Sequence, residues 1–132
     1  MKIVLDTNLL VSGIFWSGTP AKILEHWLDD CFELCITENI LKEYNRVIKK
    51  IAGKEGLALA QEWKSLLSSK CSIYSTTRTE EYSRDPDDDK FIYCALDASA
   101  IYIVSGDQDL LVLKQVEKVK IITAKSFLDR IT

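Results

Sequence analysis

Histidine is almost missing from this chain: His26 is the only one in 132 residues. Acid–base and nucleophilic chemistries that turn on an imidazole therefore have one residue to draw on. His26 sits in an apolar helical segment, where it reads as structural. The four cysteines, Cys31, Cys35, Cys71 and Cys94, form no C-x-x-C pair. With one histidine beside them they argue against a structural zinc site and read as reduced, mostly buried thiols. Two prolines and five glycines fall at junctions, so no linker, repeat or low-complexity tract divides the chain. No apolar run approaches the roughly 20 residues of a membrane span. The amino terminus meets Asp6 after three apolar residues, too soon for a signal peptide. The expected location is the cytoplasm, with no membrane partner. Neither a P-loop nor G-x-G-x-x-G is present, so a nucleotide cofactor has no support.

Excess positive charge is also lacking. Lys and Arg number 17 against 20 Asp and Glu, a formal net of -3. Phosphate backbones select basic surfaces, so the single figure argues against a nucleic-acid partner. The distribution does not. Residues 80–109 hold nine acids and two bases, whereas residues 38–70 hold seven bases and four acids.

What is present fits one globular domain, residues 1–132. Apolar residues make up 47%, enough for one core at the commonest domain size. Ile3-Val4-Leu5 reads as a strand buried on both faces. Asn8 to Gly18 reads as a loop with some helix. Thr19-Pro20 opens a helix, with Thr19 as cap and Pro20 first in it; Ile23, Leu24, Trp27 and Leu28 follow on one face. Phe32 to Ile36 is a second strand. Thr37 caps a helix whose apolar stripe is Ile40, Tyr44, Val47, Ile48 and Ile51. A further helix, with Leu57, Leu59, Ala60, Trp63, Leu66 and Leu67, leads to a third strand at 71–74. The acidic run 85–89 feeds a helix with Phe91, Ile92, Ala95 and Leu96 buried. A fourth strand at 101–104, a short helix after Asp107, a fifth strand at 119–122 and a last helix from about Lys125 complete the chain. Alternating strands and helices predict a three-layer α/β/α sandwich around a parallel sheet. The site of such a fold lies at the carboxyl ends of the strands, where strand order reverses.

Four acids fall where that geometry converges. Asp6 ends the first strand and Asp107 follows the fourth. Glu43 lies at the edge of its helix's buried stripe, and Asp89 opens the helix before the fourth strand. Each alone has a plain structural reading as a cap or surface residue. Gathered in one cleft they would repel, and the arrangement calls for a cation. An all-oxygen ligand set selects Mg²⁺ or Mn²⁺, which substrate phosphates commonly complete. That chemistry is phosphodiester hydrolysis.

These residues also resemble a known family. Val4-Leu5-Asp6-Thr7-Asn8 looks like the opening of a PIN domain, and Ile36 to Tyr44 resembles its Glu-bearing helix. Asp85-Pro86-Asp87-Asp88-Asp89-Lys90-Phe91-Ile92 and Val104-Ser105-Gly106-Asp107-Gln108-Asp109-Leu110-Leu111 resemble its third and fourth signatures. The last two are most similar to prokaryotic PIN proteins of the toxin–antitoxin kind. The resemblance implies five parallel strands in the order 3-2-1-4-5 and a metal-dependent ribonuclease. It implies Asp6, Glu43, Asp89 and Asp107 as the Mg²⁺ or Mn²⁺ ligands and catalytic acids, with Asp109 as an accessory ligand. Thr7 or Asn8, and Ser105, match polar positions that hold these acids. The run Asp87-Asp88-Asp89 leaves the third ligand open by one or two positions; Asp89 is preferred because it directly precedes the apolar helix. Family toxins of this length bind RNA and a small antitoxin protein, and commonly form homodimers.

Two other readings compete: a PIN-fold module that binds RNA or protein without cutting, and a phosphoryl-transfer domain with an aspartyl intermediate. The second lacks an acid two residues after Asp6 and a suitably placed lysine. Setting aside the four ligand acids leaves 17 bases and 16 acids. The acidity is then a metal site, flanked by Arg46, Lys49, Lys50 and Lys54 as candidate RNA contacts.

Overall fold

The computed structural model describes residues Met1–Thr132. Six strands form one sheet: β1 (Lys2–Leu5), β2 (Glu33–Thr37), β3 (Ser72–Tyr74), β4 (Tyr102–Val104), β5 (Gln115–Val116) and β6 (Val119–Ile122). Their order is β3-β2-β1-β4-β6-β5. All pairs are parallel except β5 with β6. The helices are α1 (Thr7–Phe15), α2 (Thr19–Leu28), α3 (Glu38–Ala52), α4 (Leu57–Lys70), α5 (Asp89–Ala98), α6 (Gln108–Leu111) and α7 (Ala124–Ile131). Ile3, Val4 and Leu5 are successive strand residues, so their side chains point to opposite faces, yet all are fully buried. Helices therefore cover the sheet on both sides, as a parallel sheet requires.

The expected order 3-2-1-4-5 holds for the five parallel strands, with β6 as the last of them. The sheet is mixed, not purely parallel, because Gln115–Val116 turns back on β6. That hairpin closes through Glu117 and Lys118, with Glu117 in the left-handed region at φ 51°. A two-residue strand carries too little alternation to show in a sequence.

The segment after β1, expected as a loop with some helix, is helical from Thr7 to Phe15. Asp6 caps it by accepting from the Leu9 N–H at 2.8 Å. Gly18, not Thr19, is the cap position of α2, and Pro20 occupies its first turn. Thr37 caps α3 through the Ile40 N–H. Leu28, Ile51, Leu57 and Leu59, expected on buried stripes, are exposed. They are the outward or terminal members of their helices. Cys35, Cys71 and Cys94 are buried free thiols, while Cys31 is exposed.

β1 lies between β2 and β4, so the chain leaves it in one direction and returns on its other side. The register pairs Leu5 with Val104. Asp6 and Ser105 thus emerge side by side at the reversal of strand order, with the Asp6 N–H donating to the Val104 carbonyl at 3.1 Å. The crevice expected of such folds opens at this point.

Candidate metal centre

Asp6 is buried and held on both oxygens. One accepts from the Leu9 N–H, the other from the Ser105 hydroxyl. Ser105 in turn accepts from the Asp107 N–H at 2.9 Å. Asp107 caps α6 by accepting from the Asp109 N–H at 2.9 Å. The ends of β1 and β4 are therefore locked together by one serine. Burial pushes the Asp6 carboxyl above its usual range; the Ser105, Leu9 and Gly106 donors oppose that, and the Asp107 charge adds to it.

The opposite wall comes from α3. Tyr44 is fully buried and its hydroxyl donates to the Leu5 carbonyl, tying α3 to the last residue of β1. Glu43 then meets Thr7, whose hydroxyl donates to one carboxylate oxygen. The other oxygen lies 2.7 Å from the Lys90 ammonium, which also reaches Asp87 at 3.2 Å. Burial would lower the Lys90 pKa, but the two carboxylates outweigh it and hold the ammonium charged.

The acidic run resolves in a way the sequence left open. A hollow of about 190 Å³ is lined by Asp6, Glu43, Asp87, Asp88 and Asp107, among others. Asp89 does not line it. Its carboxylate turns away and accepts from the backbone N–H groups of Ser83 at 2.7 Å and Tyr82 at 3.3 Å. It is buried and serves the chain that precedes the helix. Pro86–Asp88 forms a 3₁₀ turn before α5, and this turn presents Asp88 to the hollow in the place expected of Asp89.

Asp88 is the unsatisfied acid of the site. Its Oδ2 is buried with no hydrogen-bond partner. Its pKa is raised from the ordinary 3.8 to about 7. Burial is the first cause, followed by Asp107, Asp85 and Asp109. The acids whose carboxylate oxygens lie within 4.8 Å of one another are Asp85, Asp88 and Asp109; Asp6 and Asp107 share the hollow with Asp88. Asp109 is paired with Arg84, and Glu43 with Lys90. Asp6, Asp88 and Asp107 have no basic partner among the ion pairs of the molecule. Three carboxyls, one with an orphaned buried oxygen, fit a hard divalent cation bound through oxygen.

Of the supporting positions, Thr7 holds Glu43 and Ser105 holds Asp6. Asn8 lines the hollow and a larger one beside it. That second hollow, about 570 Å³, shares Asp6 and Asp107 and continues to Ser12, Thr19 and Lys125. A third hollow, of about 480 Å³, shares Glu43, Arg46 and Asp87 with the acidic one, so the acids lie in a trough between two further hollows. Arg46 lines the acidic hollow. Lys49, Lys50 and Lys54 are exposed and do not reach it. Sequence reasoning left Asp88 open beside Asp87 and Asp89, and missed the roles of Tyr44, Ser83 and Lys90. Of these only Lys90, a lone base in an acidic run, left a visible sign.

Comparison with known proteins gives the family. A family description reading "PIN domain" matches residues 2–109. The chain is 30% identical to Uncharacterized protein MJ1680 of Methanocaldococcus jannaschii, over 98% of this chain and 90% of that protein. Its fold is similar to the crystal structure of PAE2754 from Pyrobaculum aerophilum, with a TM-score of 0.66 at 15% identity. That match covers 99% of this chain and 89% of the other. The chain belongs to the PIN domain family, whose members are generally nucleases and usually bind divalent metals.

Proposed function

We propose that this protein is a metal-dependent endoribonuclease, acting in the cytoplasm as the toxin of a toxin–antitoxin pair. The observation that carries the nuclease reading is the hollow that Asp6, Asp88 and Asp107 line together, none of them with a basic partner. Asp6, Asp88 and Asp107 would hold Mg²⁺ or Mn²⁺, with Glu43 as a further acid on the α3 wall. The ion, when bound, supplies charge stabilisation for the attacking and leaving oxygens of a phosphodiester.

The protein's own part is positioning. Ser105 and the start of α1 fix Asp6 in one rotamer, so the charge is placed before substrate arrives. Thr7 and Lys90 do the same for Glu43. The trough continues on both sides of the acids, which suits a polymer crossing the site better than an enclosed small molecule. The signatures around Asp88 and Asp107 resemble those of toxin-type PIN proteins, which supports a small antitoxin as partner.

The test is cleavage of end-labelled RNA with Mn²⁺. The expected result is endonucleolytic cutting that chelator abolishes and that Asp6→Asn or Asp107→Asn slows by about a hundredfold or more. Asn at position 6 keeps an oxygen for the α1 cap, so loss of fold is separable by circular dichroism. Cutting that survives chelation or Asp107→Asn contradicts the reading. Expression in a bacterial host should arrest growth, with relief by the product of an adjacent small gene.

A further inference from the structure

We infer that a single-stranded polynucleotide leaves the acidic trough along α3, with a base against Tyr93 and its phosphates on Lys42, Arg46, Lys49 and Lys64. This rests on the nuclease reading and adds a path to it. Arg46 joins three hollows. It lines the acidic one. It lines a second of about 480 Å³ with Lys42, Lys90 and Tyr93. It lines a third of about 570 Å³ between α3 and α4, with Lys49 and Lys64.

Lys42, Arg46 and Lys49 recur at steps of four and three, so they lie along one side of α3. At 1.5 Å per residue they span roughly 10 Å. None of these three, nor Lys64, takes part in an ion pair. The acids on this path, Glu43 and Asp87, share Lys90, which offsets one of their two charges. The α3–α4 groove has no acidic residue in its lining. A continuous row of unpaired cations beside an acidic metal site is a charge pattern for a chain of phosphates, not for one phosphate.

The single strand follows from Tyr93. Its hydroxyl donates to the Glu80 carbonyl at 2.6 Å, and its ring packs edge-on to Tyr82. The ring is thereby fixed in the wall of the hollow that adjoins the acids. Only an unstacked base offers a face to it. Farther along, Asn45 lines the groove and its Oδ1 is buried without a partner, an acceptor for a base amine or a sugar hydroxyl.

The experiment is fluorescence anisotropy with a labelled oligouridylate, an oligothymidylate of equal length and an RNA duplex, in the Asp107→Asn protein with Mg²⁺. Lys49→Gln/Lys64→Gln should weaken single-strand binding about tenfold and lower the salt slope by about 1.4, at about 0.7 per lost phosphate contact. Tyr93→Leu should weaken it by about tenfold, and Tyr93→Phe should not. Lys118→Gln/Lys120→Gln, the same charge change at the β5–β6 edge, should leave binding as in the parent. Equal weakening by both double variants reduces the path to general charge and overturns it. Duplex bound as tightly as single strand, with Tyr93→Leu silent, overturns the single-strand assignment. If wild type cuts the oligouridylate with Mn²⁺ while the α3–α4 and Tyr93 variants bind as the parent, the path falls and the nuclease reading stands. If wild type neither binds nor cuts RNA or DNA, both fall together.

Discussion

Adjacent acids in one run have opposite duties here. Asp89 accepts from two backbone N–H groups and points away from the trough, while Asp88 enters it with an unpartnered oxygen. The sequence could not separate them, since a one-residue step around a 3₁₀ or α-helical turn rotates a side chain by about a third of a turn. Asp6, by contrast, was legible because it ends an unmistakable apolar strand. The raised carboxyls of Asp6 and Asp88 make a prediction about pH. A carboxyl whose folded pKa lies above its unfolded value favours the folded state while protonated, and that advantage is lost as pH rises. For Asp88 the window runs from the ordinary 3.8 to about 7. Without metal, thermal stability should therefore fall between mildly acidic and neutral pH. With saturating Mn²⁺ that fall should flatten, because a cation replaces the proton. Melting curves across pH, with and without Mn²⁺, check both parts.

Among the elements, periodicity exposed α3 because its polar and apolar faces are cleanly divided and Thr37 announces its start. The same reasoning lost α1. Leu9, Leu10, Val11, Ile14 and Phe15 cluster too densely for a clear stripe, and the capping residue is also a site acid. Gly13 adds to the confusion, since glycine weakens a helix reading. Its role is packing: a Cβ there would lie 2.6 Å from Leu24 Cδ1 and 2.8 Å from the Pro20 carbonyl oxygen. α1 and α2 approach too closely for a methyl group, and the backbone oxygen has little room to yield. Gly13→Ala should therefore destabilise the protein by about 1–3 kcal/mol despite alanine's better helix propensity. Urea unfolding measures this. A gain in stability would mean that the helices can part. The two-residue β5 and the outward turn of Leu57 and Leu59 were illegible for another reason: both are decided by neighbours distant in sequence.

For the whole molecule, the net charge of -3 hides two fields. One is a trough of acids at the reversal of strand order, the other a row of unpaired cations on α3 and α4. The fold class and the place of the site were legible because a strand ending in acid, repeated with helices between, leaves few topologies open. The pairing of acids with bases was not, because Lys90–Glu43 and Arg84–Asp109 join separate elements across the site. Those pairs decide which carboxyls remain for a metal. The most direct test is calorimetric titration of Mn²⁺ into wild type, Asp88→Asn and Asp89→Asn at neutral pH. Wild type should bind Mn²⁺, Asp88→Asn should lose at least about tenfold in affinity, and Asp89→Asn should bind as wild type once its fold is verified. Wild type without affinity for Mn²⁺, or loss in Asp89→Asn with Asp88→Asn unaffected, would contradict the metal centre described here.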